Sequence, residues 1–161
     1  MAVQELRLQR PVKTKASNAK RCRVMVFGCF DLLHLGHAFF FRKAKKLGGG
    51  KARLFVVVAR DANAKRAKGK KPFFNEKERA SLLKALRCVD RVVLGGKKDL
   101  FAVLRKVKPD VVVLGFDQRV DERKLKQKIK EFGLKTKVKR LRAAFNPAKH
   151  KSGILKKFFG L

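Results

Sequence analysis

Four short runs of apolar, mostly β-branched residues, separated by stretches with helical spacing, constrain this sequence more than any other feature. The runs cover residues 24–27, 54–59, 91–94 and 111–114, and each ends at a glycine or a polar turn. Because they are continuous rather than alternating, they are typical of parallel strands covered on both faces. The alternation with helices predicts an α/β domain: a Rossmann-like, doubly wound parallel sheet of about five strands flanked by helices.

The helices are predicted from apolar spacing and from their end signals. Asn75 and Glu78 have the spacing of a helix-capping sequence, and Gly133 is placed to end another helix. The predicted helices cover residues 38–47, 75–86, 99–107, 121–132 and 152–159, and residues 134–141 are predicted as an edge strand. Sheets of this kind bind ligands at the carboxyl ends of their strands, at the switch point of strand order. This directs attention to the loops that follow Phe27, Ala59, Leu94 and Leu114.

The chain is strongly basic, with 44 Lys and Arg against 12 Asp and Glu among 161 residues, a formal charge of +32. Such a charge predicts nonspecific binding of polyanions whatever the function is, because Lys and Arg that meet phosphates release counterions. Residues 1–20 are polar and basic without an apolar period, so we expect a flexible N-terminal extension, with an organellar transit peptide as the alternative. Residues 21–161 form the predicted globular domain.

Several classes of protein are excluded by composition. No apolar run approaches the roughly 20 residues that span a bilayer, and no apolar segment of a secretory signal follows the N-terminus. The three cysteines, Cys22, Cys29 and Cys88, are odd in number and form no CxxC pair, which argues against a disulfide framework or a zinc knuckle. A cytoplasmic location is therefore expected.

The loop after the first run holds two histidines three residues apart, His34 and His37, where a helix should begin. Side chains at this spacing can face one point, and the backbone N–H groups of a first helical turn favour anions. Gly36 leaves room for phosphates to approach. The pattern predicts a polyphosphate site; the alternative is that the histidines cap the helix or face solvent. A zinc site is less favoured because His150, the third histidine, is distant in sequence.

Residues 27–37, FGCFDLLHLGH, resemble the GTFDLLHxGH signature of the HxGH nucleotidyltransferases, a superfamily that includes cytidylyltransferases and archaeal-type FAD synthases. The likeness continues in residues 58–61 (VARD), 68–72 (KGKKP), 76–79 (EKER), 89–95 (VDRVVLG) and 108–118 (KPDVVVLGFDQ). It covers the chain from about Arg23 to the end, and the last of these segments is typical of archaeal FAD synthases.

The resemblance implies in-line transfer of a nucleotidyl group, with release of pyrophosphate and without a covalent enzyme intermediate. It implies catalytic roles for His34, His37 and Lys71, or its neighbour Lys70. The residues implied in binding ATP are Cys29, Phe30, His34, Leu35, Gly36, His37, Asp117 and Ser152. Mg²⁺ is expected on the triphosphate rather than in a cage of protein ligands. A homodimer is also implied.

Single residues have alternative interpretations. Asp117 is assigned to the nucleotide ribose or base, with a helix N-cap as the alternative; Asp61 can end a strand or cap the next segment; and Asp31 can simply shape its loop. Cys29 stands where the family usually has Thr, and a thiol near a helix N-terminus can be unusually reactive. Ser152 retains one member of a usual Ser/Thr pair.

Three functions follow, in order. The first is an adenylyltransferase that makes FAD from FMN and ATP. The second is a cytidylyltransferase that acts on glycerol 3-phosphate or a similar small phosphorylated alcohol, since the signature loop is shared. The third is a non-catalytic protein that binds RNA or other polyanions on the same scaffold, supported by the charge and the basic extension.

Overall fold

In the computed structural model of the protein, which describes residues 21–142, 145–146 and 152–158, five parallel strands form one sheet. The strands are β1 (Arg23–Gly28), β2 (Arg53–Val58), β3 (Arg91–Leu94), β4 (Val111–Leu114) and β5 (Lys137–Arg140). Their order is β3-β2-β1-β4-β5, so the direction of strand addition reverses between β1 and β4. This confirms the predicted doubly wound sheet, with its switch point between β1 and β4.

Six helices connect or follow the strands in the described part of the chain. They are α1 (Leu35–Leu47), α2 (Asp61–Lys68), α3 (Glu76–Lys84), α4 (Ala102–Val107), α5 (Glu122–Glu131) and α6 (Ser152–Phe158). The capping sequence before α3 is confirmed: the Asn75 side chain accepts from the backbone N–H of Glu78, and the Glu78 carboxylate accepts from the backbone N–H of Asn75. Gly133 follows α5 with φ +63°, as expected of a helix end.

The predictions missed or misplaced three helical segments. Helix α2 was not predicted, because its sequence DANAKRAK has no large apolar side chain, and its buried residues are Asn63 and Ala64. Helix α1 begins at Leu35, three residues before the predicted start. Helix α4 begins only at Ala102, because the Asp99 carboxylate accepts a hydrogen bond from the backbone N–H of Phe101 in the preceding turn.

The core has two layers, one on each face of the sheet. In β1, Val24 and Val26 pack with α1 and α3 on one face, and Met25 packs with α4 and α5 on the other. The same division in the other strands explains the continuous apolar runs, because both faces of the sheet are covered. No helix in the described part of the chain is long and apolar enough to cross a membrane. The predicted extension, residues 1–20, lies outside the described residues.

Candidate active site

The loop after β1 is held in a tight path at the switch point. Phe30 has φ +51° and turns its ring back over Gly28, where an added Cβ would lie 2.7 Å from a ring carbon. A side chain at Gly28 would therefore displace this buried ring. The chain then reaches His34, the extended residue that precedes α1, whose carbonyl accepts from the backbone N–H of His37 at 2.9 Å.

The structure brings the two predicted histidines together. The rings of His34 and His37 stack with centroids 3.9 Å apart and planes 27° apart, and the Phe30 ring meets His37 edge-on at 5.4 Å. His34 occupies the N-cap position of α1, but its side chain makes no capping hydrogen bond, so the capping interpretation does not describe its imidazole. Leu35 and Gly36 form the first turn of α1 beside them.

His37 is held in its neutral form. Its Nδ1 is buried without a hydrogen-bond partner among the described residues. Burial, helped by His34 and Lys68, lowers the pKa of His37 from 6.5 to about 3. A neutral imidazole donates one N–H and adds no full charge, which suits it to phosphate oxygens that gain charge during a reaction.

A cavity of about 170 Å³ opens beside this loop and is lined by four lysines. Lys68, Lys70 and Lys71 come from the segment after α2, and Lys156 comes from α6. The cavity also includes Cys29, Asp31, Pro72 and Gly153. Lys68 lowers the pKa of both His37 and Cys29, so the cavity and the histidine pair belong to one electrostatic environment. This lysine cavity fits a highly charged anion.

Asp31 ties three segments together at the floor of the lysine cavity. Only 3 % of Asp31 is exposed, and its carboxylate accepts from the backbone N–H groups of Phe73 and Phe74, both at 3.0 Å. Lys156 forms an ion pair with it at 2.6 Å. These donors outweigh the desolvation of the buried carboxyl and lower its pKa. Asp31 therefore shapes the loop and also positions α6 and the segment that follows the lysines.

Arg79 organises the same region from below. Its side chain is fully buried, and its guanidinium donates to the carbonyls of Cys29, Ala59 and Phe74. It also pairs with the Asp61 carboxylate at 2.5 Å. One arginine thus joins the ends of β1 and β2 to the segment that follows the lysines.

Asp61 and Glu76 start two helices at one place. The Asp61 carboxylate accepts from the backbone N–H of Glu76, and the Glu76 carboxylate accepts from the backbone N–H of Asp61. The capping interpretation of Asp61 is therefore confirmed. The same structure explains why VARD and EKER, far apart in sequence, are both needed to build the loop.

The thiol of Cys29 is not activated. Burial raises its pKa, and this effect exceeds the opposing influence of Lys68 and Arg79. The hypothesis of an unusually reactive thiol is wrong, because desolvation of the thiolate outweighs the positive charges nearby.

The opposite lip of the site lies at the carboxyl end of β4. Gln118 bridges the switch point: its amide nitrogen donates to the Phe27 carbonyl at 2.7 Å, and its oxygen accepts from the backbone N–H of Gly115 at 3.1 Å. Arg140, at the end of β5, donates to the carbonyls of Gly115 and Gln118. Asp117 lies exposed in this loop. The N-cap interpretation of Asp117 is wrong, because Asp121 caps α5.

Five residues of the site were not selected from the sequence: Lys68, Arg79, Gln118, Arg140 and Lys156. With 44 basic residues in the chain, a lysine or arginine carries little signal by itself. Ser152 begins α6. No group of three or more His, Cys, Asp or Glu residues in the described part of the chain is placed to hold a metal ion.

Comparisons with known proteins place this geometry in a family. The model of the cytidylyltransferase-like family matches residues 25–157. The FAD synthase of Aciduliprofundum boonei is 46 % identical over 120 residues, 74 % of this chain and 78 % of that protein. The FAD synthase of Thermoplasma volcanium is 42 % identical over 139 residues, 86 % of this chain and 95 % of that protein.

A solved structure shares the fold as well. The crystal structure of the lipopolysaccharide core biosynthesis protein from Thermoplasma volcanium has a TM-score of 0.71 and 42 % identity, and the match covers 79 % of this chain and all of that chain. The resemblance found in the signature loop is therefore confirmed, together with the fold that it implied. The chain belongs to the cytidylyltransferase-like family of nucleotidyltransferases, alongside the FAD synthases of archaea.

Proposed function

We propose that this protein is an FMN adenylyltransferase, which transfers AMP from ATP to FMN and releases pyrophosphate. The observation that carries the proposal is the stacked pair of His34 and His37 beside the lysine cavity, at the switch point of the sheet. The names of the relatives, FAD synthases at 42–46 % identity over most of this chain, support the choice of ATP and FMN.

The chemistry is a displacement at phosphorus. An oxygen of the FMN phosphate attacks the α-phosphorus of ATP and forms the new P–O bond. The bond from that phosphorus to the bridging oxygen breaks, and pyrophosphate leaves with the electron pair. No residue needs to become covalently attached, so positioning and charge stabilisation account for the catalysis.

The roles of the residues follow from charge and placement. His34 and His37 donate to phosphate oxygens, helped by the backbone at Cys29 and Phe30 and by the first turn of α1. Lys71, with Lys68 and Lys70, neutralises charge on the transferring and leaving phosphates. In the described part of the chain, none of these three lysines forms a salt bridge, so their charges are available to a ligand.

The nucleoside lies on the other side of the switch point in this proposal. Asp117 is exposed in the loop after β4 and faces the ribose or base. Ser152, Leu35 and Gly36 complete the surroundings of the phosphates, since α6 and α1 both begin at the site. The loop that carries Asp117 is fixed by Gln118 and Arg140.

Mg²⁺ completes the proposed reaction as a partner of the triphosphate. Asp31 is the only carboxylate in the described lining of the cavity, and its oxygens already accept from Phe73, Phe74 and Lys156. The donor set therefore fits an ion held mainly by phosphate oxygens and water. When bound, the ion supplies charge neutralisation on the phosphates.

Location and assembly are parts of the same proposal. Cys22, Cys29 and Cys88 are all free thiols, which supports a reducing, cytoplasmic compartment. A homodimer is implied by the resemblance, and the +32 charge supports nonspecific binding of polyanions. Analytical ultracentrifugation of the full chain tests the dimer, and a steep salt dependence of RNA binding without sequence preference tests the polyanion affinity.

The experiment that tests the proposed function offers four substrate pairs to the purified protein with Mg²⁺. ATP and CTP are each combined with FMN and with glycerol 3-phosphate, and pyrophosphate and the nucleotide product are measured. Formation of FAD and pyrophosphate in equal amounts from ATP and FMN is expected. Turnover of CTP with glycerol 3-phosphate, without FAD formation, would replace the proposal by the cytidylyltransferase alternative.

A further inference from the structure

Phe73 is an aromatic side chain held at the surface by buried groups. Its ring has one edge-to-face contact, with Phe74 at 5.0 Å, and 56 % of the residue is exposed. The backbone N–H groups of both phenylalanines are fixed by the carboxylate of Asp31. The ring is therefore presented to solvent by an ordered segment, and covering it with an apolar ligand is favourable.

The position of Phe73 relates it to the lysine cavity. Pro72, the residue before it, lines the cavity together with Lys70 and Lys71. Asp31, which holds the backbone of Phe73, forms part of the same lining. A flat apolar ring thus stands next to a group of ammonium ions. This combination matches a ligand that has a planar ring system at one end and a phosphate at the other.

The composition narrows the side chains that can stack on such a ligand. The chain has 14 Phe, no Tyr and no Trp, so phenylalanine must supply any aromatic platform. Phe158 is more exposed, at 83 %, but it lies two residues after Lys156 on α6. Residues two apart on a helix point in nearly opposite directions, and Lys156 points at Asp31. Phe158 therefore faces away from the cavity.

We propose that Phe73 stacks on the isoalloxazine ring of FMN and determines the affinity for the acceptor. This inference rests on the proposed function and adds to it the side chain that recognises the flavin. The FMN phosphate then lies toward the lysine cavity, and ATP binds without touching the Phe73 ring.

Steady-state kinetics separate this role from a structural one. In Phe73→Ala, KM for FMN is expected to rise about ten-fold, as for loss of an aromatic stacking contact, while KM for ATP changes less than two-fold. Phe158→Ala is the matched control and should leave both constants unchanged. An equal rise of both KM values in Phe73→Ala, or an unchanged KM for FMN, would overturn the assignment.

The absence of Trp and Tyr allows a second test that does not depend on turnover. Phe73→Trp places a single indole at the proposed contact, and an indole touching the isoalloxazine quenches flavin emission by electron transfer. With FMN bound to excess protein, flavin emission should be strongly lower for Phe73→Trp than for the wild type. Phe158→Trp should match the wild type.

The two tests distinguish failure of the inference from failure of the proposed function. If the wild type makes FAD but Phe73→Trp and Phe158→Trp leave flavin emission equal, only the assignment of Phe73 is overturned. If the wild type neither makes FAD nor retains FMN in equilibrium dialysis, the proposed function fails and the assignment falls with it.

Discussion

The two lips of the candidate site are each held by one arginine, but at very different depths. On the β1–β2 lip, Arg79 is fully buried and donates to three carbonyls and to Asp61. On the β4–β5 lip, the Arg140 side chain is 31 % exposed, donates to the carbonyls of Gly115 and Gln118, and pairs with Glu122. Both guanidinium groups use the same chemistry, bonding to loop carbonyls that lie beyond the ends of strands.

The difference teaches where the fold fixes the site and where it leaves freedom. The β1–β2 lip carries the histidines and the lysine cavity, whose phosphate chemistry requires fixed distances. Its arginine belongs to the core, so the loop and the fold are stabilised together. The β4–β5 lip, proposed to hold the nucleoside, depends on a solvent-accessible arginine that water can partly replace. Substitutions on the two lips should therefore have different consequences for stability and for substrate binding.

The largest effect is expected from Arg79→Ala. Removing the guanidinium leaves the carbonyls of Cys29, Ala59 and Phe74 without their donor and Asp61 without its cation, so the free energy of unfolding should fall by about 3 kcal/mol. Urea denaturation measures this loss. Arg79→Lys should recover part of it, and the exposed Arg87→Ala, before β3, should have almost no effect. A loss below about 1 kcal/mol in Arg79→Ala would remove the distinction between the lips.

The pH dependence of stability gives the next effect, again on the β1–β2 lip. His37 has a pKa of about 3 when folded and titrates near 6.5 when unfolded, so protons bind preferentially to the unfolded chain between these values. Stability contributed by neutral His37 is complete above pH 6.5 and is lost as the pH falls toward 3. The slope for one proton is about 1.4 kcal/mol per pH unit.

The measurement compares wild type with His37→Asn by urea denaturation between pH 6.5 and 4.5. Asp31 and Glu76, whose pKa values are lowered, contribute mainly at more acidic pH, because they lose their stabilising charge only below their ordinary range. The variant should show a clearly smaller slope than the wild type. Equal slopes would mean that His37 titrates alike in both states.

A smaller effect on stability is expected from Arg140→Ala. The side chain is partly exposed, so the free energy of unfolding should fall by only about 1 kcal/mol, while the loop that carries Asp117 loosens. KM for ATP should then rise about three- to ten-fold with KM for FMN unchanged. Arg119→Ala, an exposed arginine of the same loop, is the matched control. A larger stability loss than in Arg79→Ala would reverse the comparison.

The smallest effect concerns Cys29. Because burial raises the pKa of its thiol, alkylation by iodoacetamide at pH 7 should be slower than that of glutathione, and its rate should climb through alkaline pH. Peptide mass spectrometry after timed quenching measures this rate separately from those of Cys22 and Cys88. Rapid reaction of Cys29 at pH 7 would show that the lysines, rather than burial, dominate around it.

The fold was largely accessible from sequence because its signals are local. Continuous runs such as residues 111–114 are diagnostic of a buried parallel strand, and Asn75 with Glu78 marks a helix start. Helix α2 was missed because it is anchored by Asn63, whose amide donates to the Gly96 carbonyl at 2.8 Å, rather than by an apolar stripe. Such a contact between residues distant in sequence leaves no periodic trace.

The candidate site was accessible only where its residues are contiguous. His34 and His37 sit in one loop, and their stacking follows from their spacing. Arg79 and Lys156 reach the same loop from other segments, and their importance comes from burial and from the Asp31 carboxylate. Their selection requires knowing which segments meet, which depends on the whole packed sheet.

The most direct test of the central claim, that the histidine pair beside the lysine cavity carries out adenylyl transfer to FMN, is the rate of FAD formation by His37→Asn. With saturating ATP, FMN and Mg²⁺, kcat should fall about 10²- to 10³-fold, as for loss of a donor to transition-state charge, while Arg87→Ala keeps the wild-type rate. FAD formation at the wild-type rate by a folded His37→Asn variant would contradict the account.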